Sequence, residues 1–254
     1  MKSEVCYLCG EIGATTRDHL PPKAFLGRGN YNQTPRITLP AHIKCNLEFS
    51  EDEEYVRDLM APSAGFFDLR GVEPILEKAQ RSRTRPAGSK RFVNLLRASR
   101  PIQLRSPSGL YLGRARGILY DRDRVRRIGV KIARGILYHD AKAIIRQDEV
   151  ICSEIPIFDV NREKSLQLAK GNPYWQALGS EACIHTMFGE SVAVRRIYIG
   201  TPTTPQVTII CYMGIMLLTS YFVIFSSFPL SDDIHSSFRF CVSEAYGWEK
   251  KGTE

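Results

Sequence analysis

Two short pairs of ligand-type residues constrain this chain more than any other feature. Cys6-Tyr7-Leu8-Cys9-Gly10 sets two thiols three positions apart, and Gly10 lets such a turn close. His42-Ile43-Lys44-Cys45 supplies a second pair at the same spacing. Together Cys6, Cys9, His42 and Cys45 form a Cys3His set, which lies within the repertoire of structural Zn2+ in tetrahedral geometry. If His42 is instead a surface histidine, the set is incomplete. The chain holds seven cysteines, an odd number, and Met1 to Glu4 runs into the first pair with no apolar stretch of the export type. Both features point to a reducing, cytoplasmic setting and a metal site rather than a disulfide framework. Cys152, Cys183, Cys211 and Cys241 sit among apolar residues and read as core.

Between the two pairs lies Asp18-His19-Leu20-Pro21-Pro22-Lys23, and Asn46 follows the second pair directly. Phosphodiester hydrolysis needs a base to deprotonate water, a metal to stabilise the leaving oxyanion and cations to hold the strand. On an extended backbone Asp18 and His19 would point opposite ways, and a turn at Pro21-Pro22 is expected to bring both to one site. Lys23 reads either as a phosphate contact or as a solvated lysine. Ser50-Glu51-Asp52-Glu53 has the form of a capping box, with acids in a first helical turn where the dipole favours them. That role for Asp52, Glu53 and Glu54 is preferred over a further metal ligand.

The order Cys-x2-Cys, Asp-His-Leu-Pro-Pro-Lys, His-x2-Cys-Asn resembles the HNH, or ββα-metal, endonucleases in their zinc-stapled form, over about Glu4 to Arg57. The resemblance implies two short strands and a helix around one catalytic divalent ion, with the Cys pairs pinning the ends. It implies His19 as general base, and Asp18 and Asn46 as ligands of Mg2+ or another divalent ion. Many members carry histidine where Asn46 stands. The middle residue of the motif, expected near Ile37 or Thr38, is unassigned, since Asn30 and Asn32 read as a turn.

Charge distribution gives such a head a reason for its partner. The 254 residues carry a net +8, but residues 78 to 134 alone hold 17 basic side chains against the acids Asp121 and Asp123. The rest of the chain is net negative. Fourteen of the seventeen are arginine, the better fork for phosphate oxygens, so a polyanion partner follows. Arg81 to Lys90 reads as a basic loop. A helix is predicted from about Arg122 to Tyr138, capped by Asp121 or Asp123, with Val125, Ile128, Ile132 and Ile136 as its apolar stripe. Arg124, Arg127, Lys131 and Arg134 share one face of it, either solvated or in contact with phosphates.

The last hundred residues read as β-rich. Ile151 to Glu163 suggests a strand and turn, Glu163 to Leu178 a weak helix, and Val192 to Ile199 a strand. Gln206 to Ser231 has no charged residue and is long enough to cross a bilayer. Its β-branched and aromatic content favours a pair of buried strands, with Met213-Gly214 able to turn a hairpin or kink a strand, and a membrane partner is not expected.

The expected architecture is α+β: an HNH module over 1–58, a basic, partly helical region over 59–150, and a β-rich region of unknown role over 151–254. The expected function is metal-dependent cleavage of nucleic acid, DNA ahead of RNA, by an enzyme of antiphage defence or of a mobile element. The alternative is a zinc-stapled module that binds nucleic acid without cutting it. A homo-oligomer or a partner protein is compatible with either.

Overall fold

The computed structural model describes residues 4–25, 36–66, 73–106, 108–142, 144–145, 150–156, 184–188, 192–199, 206–215, 219–229 and 240–241. Asn30, Asn32 and the helix expected over 163–178 lie outside these residues.

The chain opens with a zinc-knuckle turn. Strands β1 (Glu4–Val5) and β2 (Ile12–Ala14) pair antiparallel around it. Gly10 takes a φ of +83° at its end, a conformation that costs other residues energy. Strand β3 (Thr16–Leu20) then pairs antiparallel with β4 (Ile37–Ala41), setting Asp18 opposite Leu39 and His19 opposite Thr38. Thr38 therefore stands across from His19 where the middle residue of the motif was expected. A cis Leu20-Pro21 bond leads into a 3-10 turn, Lys23–Phe25, whose Phe25 is buried. Helix α1 (Ile43–Leu47) carries Cys45 and Asn46, and α2 (Ser50–Phe66) follows at once.

Three further helices and a hairpin enclose this head. Helices α3 (Glu73–Arg83) and α4 (Pro86–Arg97) precede the antiparallel pair β5 (Ser99–Arg105) and β6 (Tyr111–Ile118). The segment expected as a basic loop, Arg81 to Lys90, is mostly helical. Pro86 opens α4, where its fixed φ and missing N–H cost nothing. Helix α5 spans Arg122–Ala141, capped by Asp121, whose side chain accepts the N–H groups of Asp123 and Arg124. Its predicted stripe of Val125, Ile128, Ile132 and Ile136 is 0 to 1% exposed and joins Leu20, Leu39, Val56 and Met60 in one core. Gly135 lies where α5 crosses β3 and β4: a Cβ there would sit 2.7 Å from Leu20 Cδ1 and 3.0 Å from Leu39 Cδ1.

The C-terminal strands form one sheet. β7 (Val150–Pro156), β11 (Thr219–Pro229), β10 (Gln206–Ile215) and β9 (Val192–Ile199) pair antiparallel in that order. β8 (Ile184–Phe188) pairs with β9, and β12 (Phe240–Cys241) lies parallel to it. The uncharged segment is thus two strands, as its composition favoured. Met213 and Gly214 lie within the first of these strands, paired with Tyr221 and Ser220. No helix among the described residues is long and apolar enough to cross a membrane. Helices and strands are both present among the described residues, consistent with an α+β chain.

Candidate metal centre and the surface beside it

Cys6, Cys9, His42 and Cys45 converge although more than thirty residues separate the two pairs. Their ligand atoms all lie within 4.8 Å of one another. Cys9 Sγ is 3.2 Å and Cys45 Sγ 3.9 Å from His42 Nδ1. Zn–S bonds of about 2.3 Å and Zn–N bonds of about 2.0 Å give tetrahedral edges of roughly 3.5–3.8 Å, so the four atoms fit one Zn2+. The histidine would bind through Nδ1. Its Nε2 faces the Ile12 carbonyl at 3.4 Å, the outer hydrogen bond that orients a ligating imidazole.

The site is built by local backbone. Cys6 N–H donates to Glu11 O and Gly10 N–H to Cys6 O, each at 2.9 Å, which closes the knuckle. Tyr7 N–H donates to Pro40 O at 3.0 Å and brings β4, with His42 behind it, to the first pair. Burial pushes the Cys6 thiol up, but the N–H groups of His42, Cys9 and Leu8 outweigh that and leave it below its ordinary value. Burial, with Cys9 and Cys6 crowded against it, pushes the Cys45 thiol up to about 12. A bound cation removes that mutual repulsion, so metal and thiolates stabilise one another.

The catalytic set expected beside the zinc does not gather on one surface. Strand alternation turns Asp18 inward, 6% exposed, while His19 stands half-buried on the outer side. The turn at Pro21-Pro22 follows both residues and cannot reverse that alternation. Asp18 Oδ2 accepts the Tyr7 hydroxyl at 2.6 Å and lies 2.8 Å from Lys131 Nζ. Asp18 Oδ1 accepts the backbone N–H of His19 at 2.7 Å. Both oxygens of the proposed metal ligand are therefore engaged by protein donors. Asn46 is half-buried on α1, one turn before Phe49. A divalent ion at Asp18 and Asn46 does not fit this arrangement, since it would have to displace an ammonium and a hydroxyl.

The face of α5 expected to contact phosphates meets the head instead. Lys131 is fully buried, and its Nζ lies 2.5 Å from Glu53 Oε1 as well as close to Asp18. Arg134 is 6% exposed and donates to the Leu8 carbonyl. Arg124 pairs with Asp52 at 2.6 Å, and Arg127 lies 3.4 Å from Asp52 and 3.5 Å from Glu48. The acids at the start of α2 thus serve as partners of cations: Asp52 and Glu53 for α5, and Glu54 for Arg91 of α4. The Glu53 carboxylate accepts from Lys131 through Oε1. Burial raises the Glu53 carboxyl above its ordinary value, against the opposing pull of Lys131.

His19 has surroundings of a different sign. Burial, reinforced by the charges of Lys23 and Arg36 and opposed by Asp18, holds its imidazole below its ordinary value. Its neutral form is favoured by that burial and by both cations. Lys23 is held in place because Lys78 Nζ of α3 donates to its carbonyl at 2.5 Å. Arg36 went unnoticed in the sequence. It lies outside every motif and is placed near His19 only by the pairing of β3 with β4. Compared with known proteins, the chain matches no family model, no curated protein and no solved structure, so its chemistry is read from this site alone.

Proposed function

We propose that this chain is a zinc-stapled phosphodiester hydrolase of HNH type that cuts nucleic acid, DNA ahead of RNA, with His19 as its general base. The observation that carries this reading is the placement of His19 half-buried on the outer side of β3, opposite Thr38 of β4, where the charges of Lys23 and Arg36 act against its protonated form. An uncharged imidazole takes a proton from water as that water bonds to phosphorus, and the P–O bond to the leaving sugar oxygen breaks. A divalent ion supplied in solution would stabilise that leaving oxyanion, and the adjacent cations hold the phosphate. Zinc at Cys6, Cys9, His42 and Cys45 supplies fold rather than chemistry, fixing β3 and β4 so that His19 stays on the outer face.

The phosphate-tracking surface in this reading is not α5. Arg100, Arg114 and Arg116 of the β5–β6 hairpin and Arg85, Lys90 and Arg97 around α4 are exposed. A two-stranded ribbon also suits the width of a DNA major groove. Antiphage defence or a mobile element remains the proposed setting, and the cytoplasm the proposed compartment.

Incubating the zinc-loaded protein with plasmid and RNA substrates tests the reading. Cutting is expected from the native chain and not from His19→Ala, with zinc content and circular dichroism unchanged. Undiminished cutting by that variant removes His19 from the base role. A second reading, nucleic-acid binding without cleavage, is favoured by one observation, the full engagement of Asp18 by Tyr7 and Lys131. It predicts retarded substrate that stays intact under every divalent ion tried.

A further inference from the structure

Helix α5 lies far along the chain from the motif, yet it places one ammonium at the centre of the head. Lys131 Nζ sits 2.8 Å from Asp18 Oδ2 and 2.5 Å from Glu53 Oε1 and is fully enclosed. The Phe49 ring centroid, 5.1 Å from Nζ, closes another side, and the Tyr7 hydroxyl completes the contacts of Asp18. Two carboxylates facing one another in a buried space form the kind of oxygen cage that a hard divalent ion takes. Here a covalently tethered cation already fills it.

Helix α5 is itself held against the head. Arg124 and Arg127 on the preceding turns are tied to Asp52, and Arg134 on the following turn is tied to the Leu8 carbonyl. Ile128 and Ile132 beside Lys131 are completely buried. Removing the charge of Lys131 in place leaves two carboxylates facing each other.

We infer that Lys131 is an internal counter-cation that occupies the cation position between Asp18 and Glu53 and so excludes a divalent ion from Asp18. It bears on the nuclease reading because the HNH resemblance would make Asp18 a metal ligand, a role this arrangement denies it. The geometry gives Asp18 another task, holding the backbone N–H of His19 through Oδ1, which makes it a positioning residue. A divalent ion gains access to Asp18 only when Lys131 is removed.

The test is Mn2+ binding to the zinc-loaded full chain, read by the loss of the free-ion paramagnetic resonance signal. Native protein is expected to take up no Mn2+ that depends on Asp18. Lys131→Met is expected to bind one Mn2+ at least about tenfold more tightly than the native chain, and Asp18→Asn placed on top of it should erase the gain. One-to-one binding by the native chain that disappears in Asp18→Asn overturns the inference. So does a folded Lys131→Met with no gain. If that variant does not fold, Lys131→Gln, similar in length and neutral, carries the same readout, and if neither folds the native titration against Asp18→Asn decides. Cleavage is not the measurement: a native chain that does not cut counts against the nuclease reading, and the Mn2+ titration decides the inference separately.

Discussion

At the scale of single residues, neighbouring positions on one strand face opposite environments. Asp18 and His19 are adjacent, but β3 sends one carboxylate into a cluster with Tyr7, Lys131 and Glu53 and one imidazole outward. The cluster explains why Tyr7 holds its proton well above the usual phenol range, first by burial and then by the charge of Asp18. The His19 environment makes a kinetic prediction. The base works only when neutral, and burial with the charges of Lys23 and Arg36 holds its conjugate acid below the ordinary imidazole value, so the acidic limb of the pH–rate profile is expected at lower pH than an ordinary histidine would give. Lys23→Gln removes a cation that disfavours the protonated ring, so it should move that limb to higher pH. A profile of cleavage rate against pH for both proteins checks it, and an unmoved limb shows that Lys23 does not act on the base.

The same residues show what was legible in the sequence. The four-residue Cys3His cluster could be found because its chemistry is rare and the spacing within each pair is local. The inward turn of Asp18 was less accessible, since Pro21-Pro22 invited a bend and nothing nearby reveals a lysine more than a hundred residues away. Tyr7, placed between two ligand cysteines, looked like filler and is instead the hydroxyl donor to Asp18.

At the scale of elements, α5 is the instructive case. Its extent, its cap and its apolar stripe follow from periodicity of 3.6 and from Asp121. What periodicity cannot supply is the destination of its charges. A row of cations reads the same whether it faces phosphate or protein, and the acids that claim it lie on α2, some seventy residues earlier. The basic block therefore divides into cations used inside the protein and cations left on the β5–β6 hairpin and α4. That division predicts two different outcomes for charge reversal. Arg100→Glu, Arg114→Glu and Arg116→Glu together should reduce the slope of log affinity against log salt by about 0.9 for every phosphate no longer neutralised, with the melting temperature nearly unchanged. Arg124→Glu with Arg127→Glu should instead lower the melting temperature, because it sets like charges against Asp52 and Glu48. Binding isotherms across salt concentrations and thermal melts of the two variants check this, and a reversal of the two effects would return α5 to the interface.

At the scale of the whole molecule, the boundary expected near residue 58 does not divide the packing. Helix α2 runs through it to Phe66, and the core joins Leu20 and Leu39 of the head to Ile128, Ile132 and Ile136 of α5. The head has strands of only two to five residues and too little apolar surface to fold alone, so zinc and α5 both support it. A chelator should therefore lower the melting temperature of the entire helical part in one transition, and Cys6→Ser should do the same without a chelator. Calorimetry that shows the head melting by itself, with α2 and α5 left intact, would overturn this coupling.

One consequence comes from the absent side chain of Gly135. Leu20 and Leu39 press into the space where its methyl group would be, on the helical turn just after Lys131. The separation of α5 from the β3–β4 hairpin is therefore set by a single missing carbon, which works like the removal of a shim beneath a lever. A side chain at that position would act on the far end of the lever, prising the lysine away from its two carboxylates without altering any charged residue. Access to Asp18 is thus open to adjustment by bulk alone, at a position that carries no chemistry of its own.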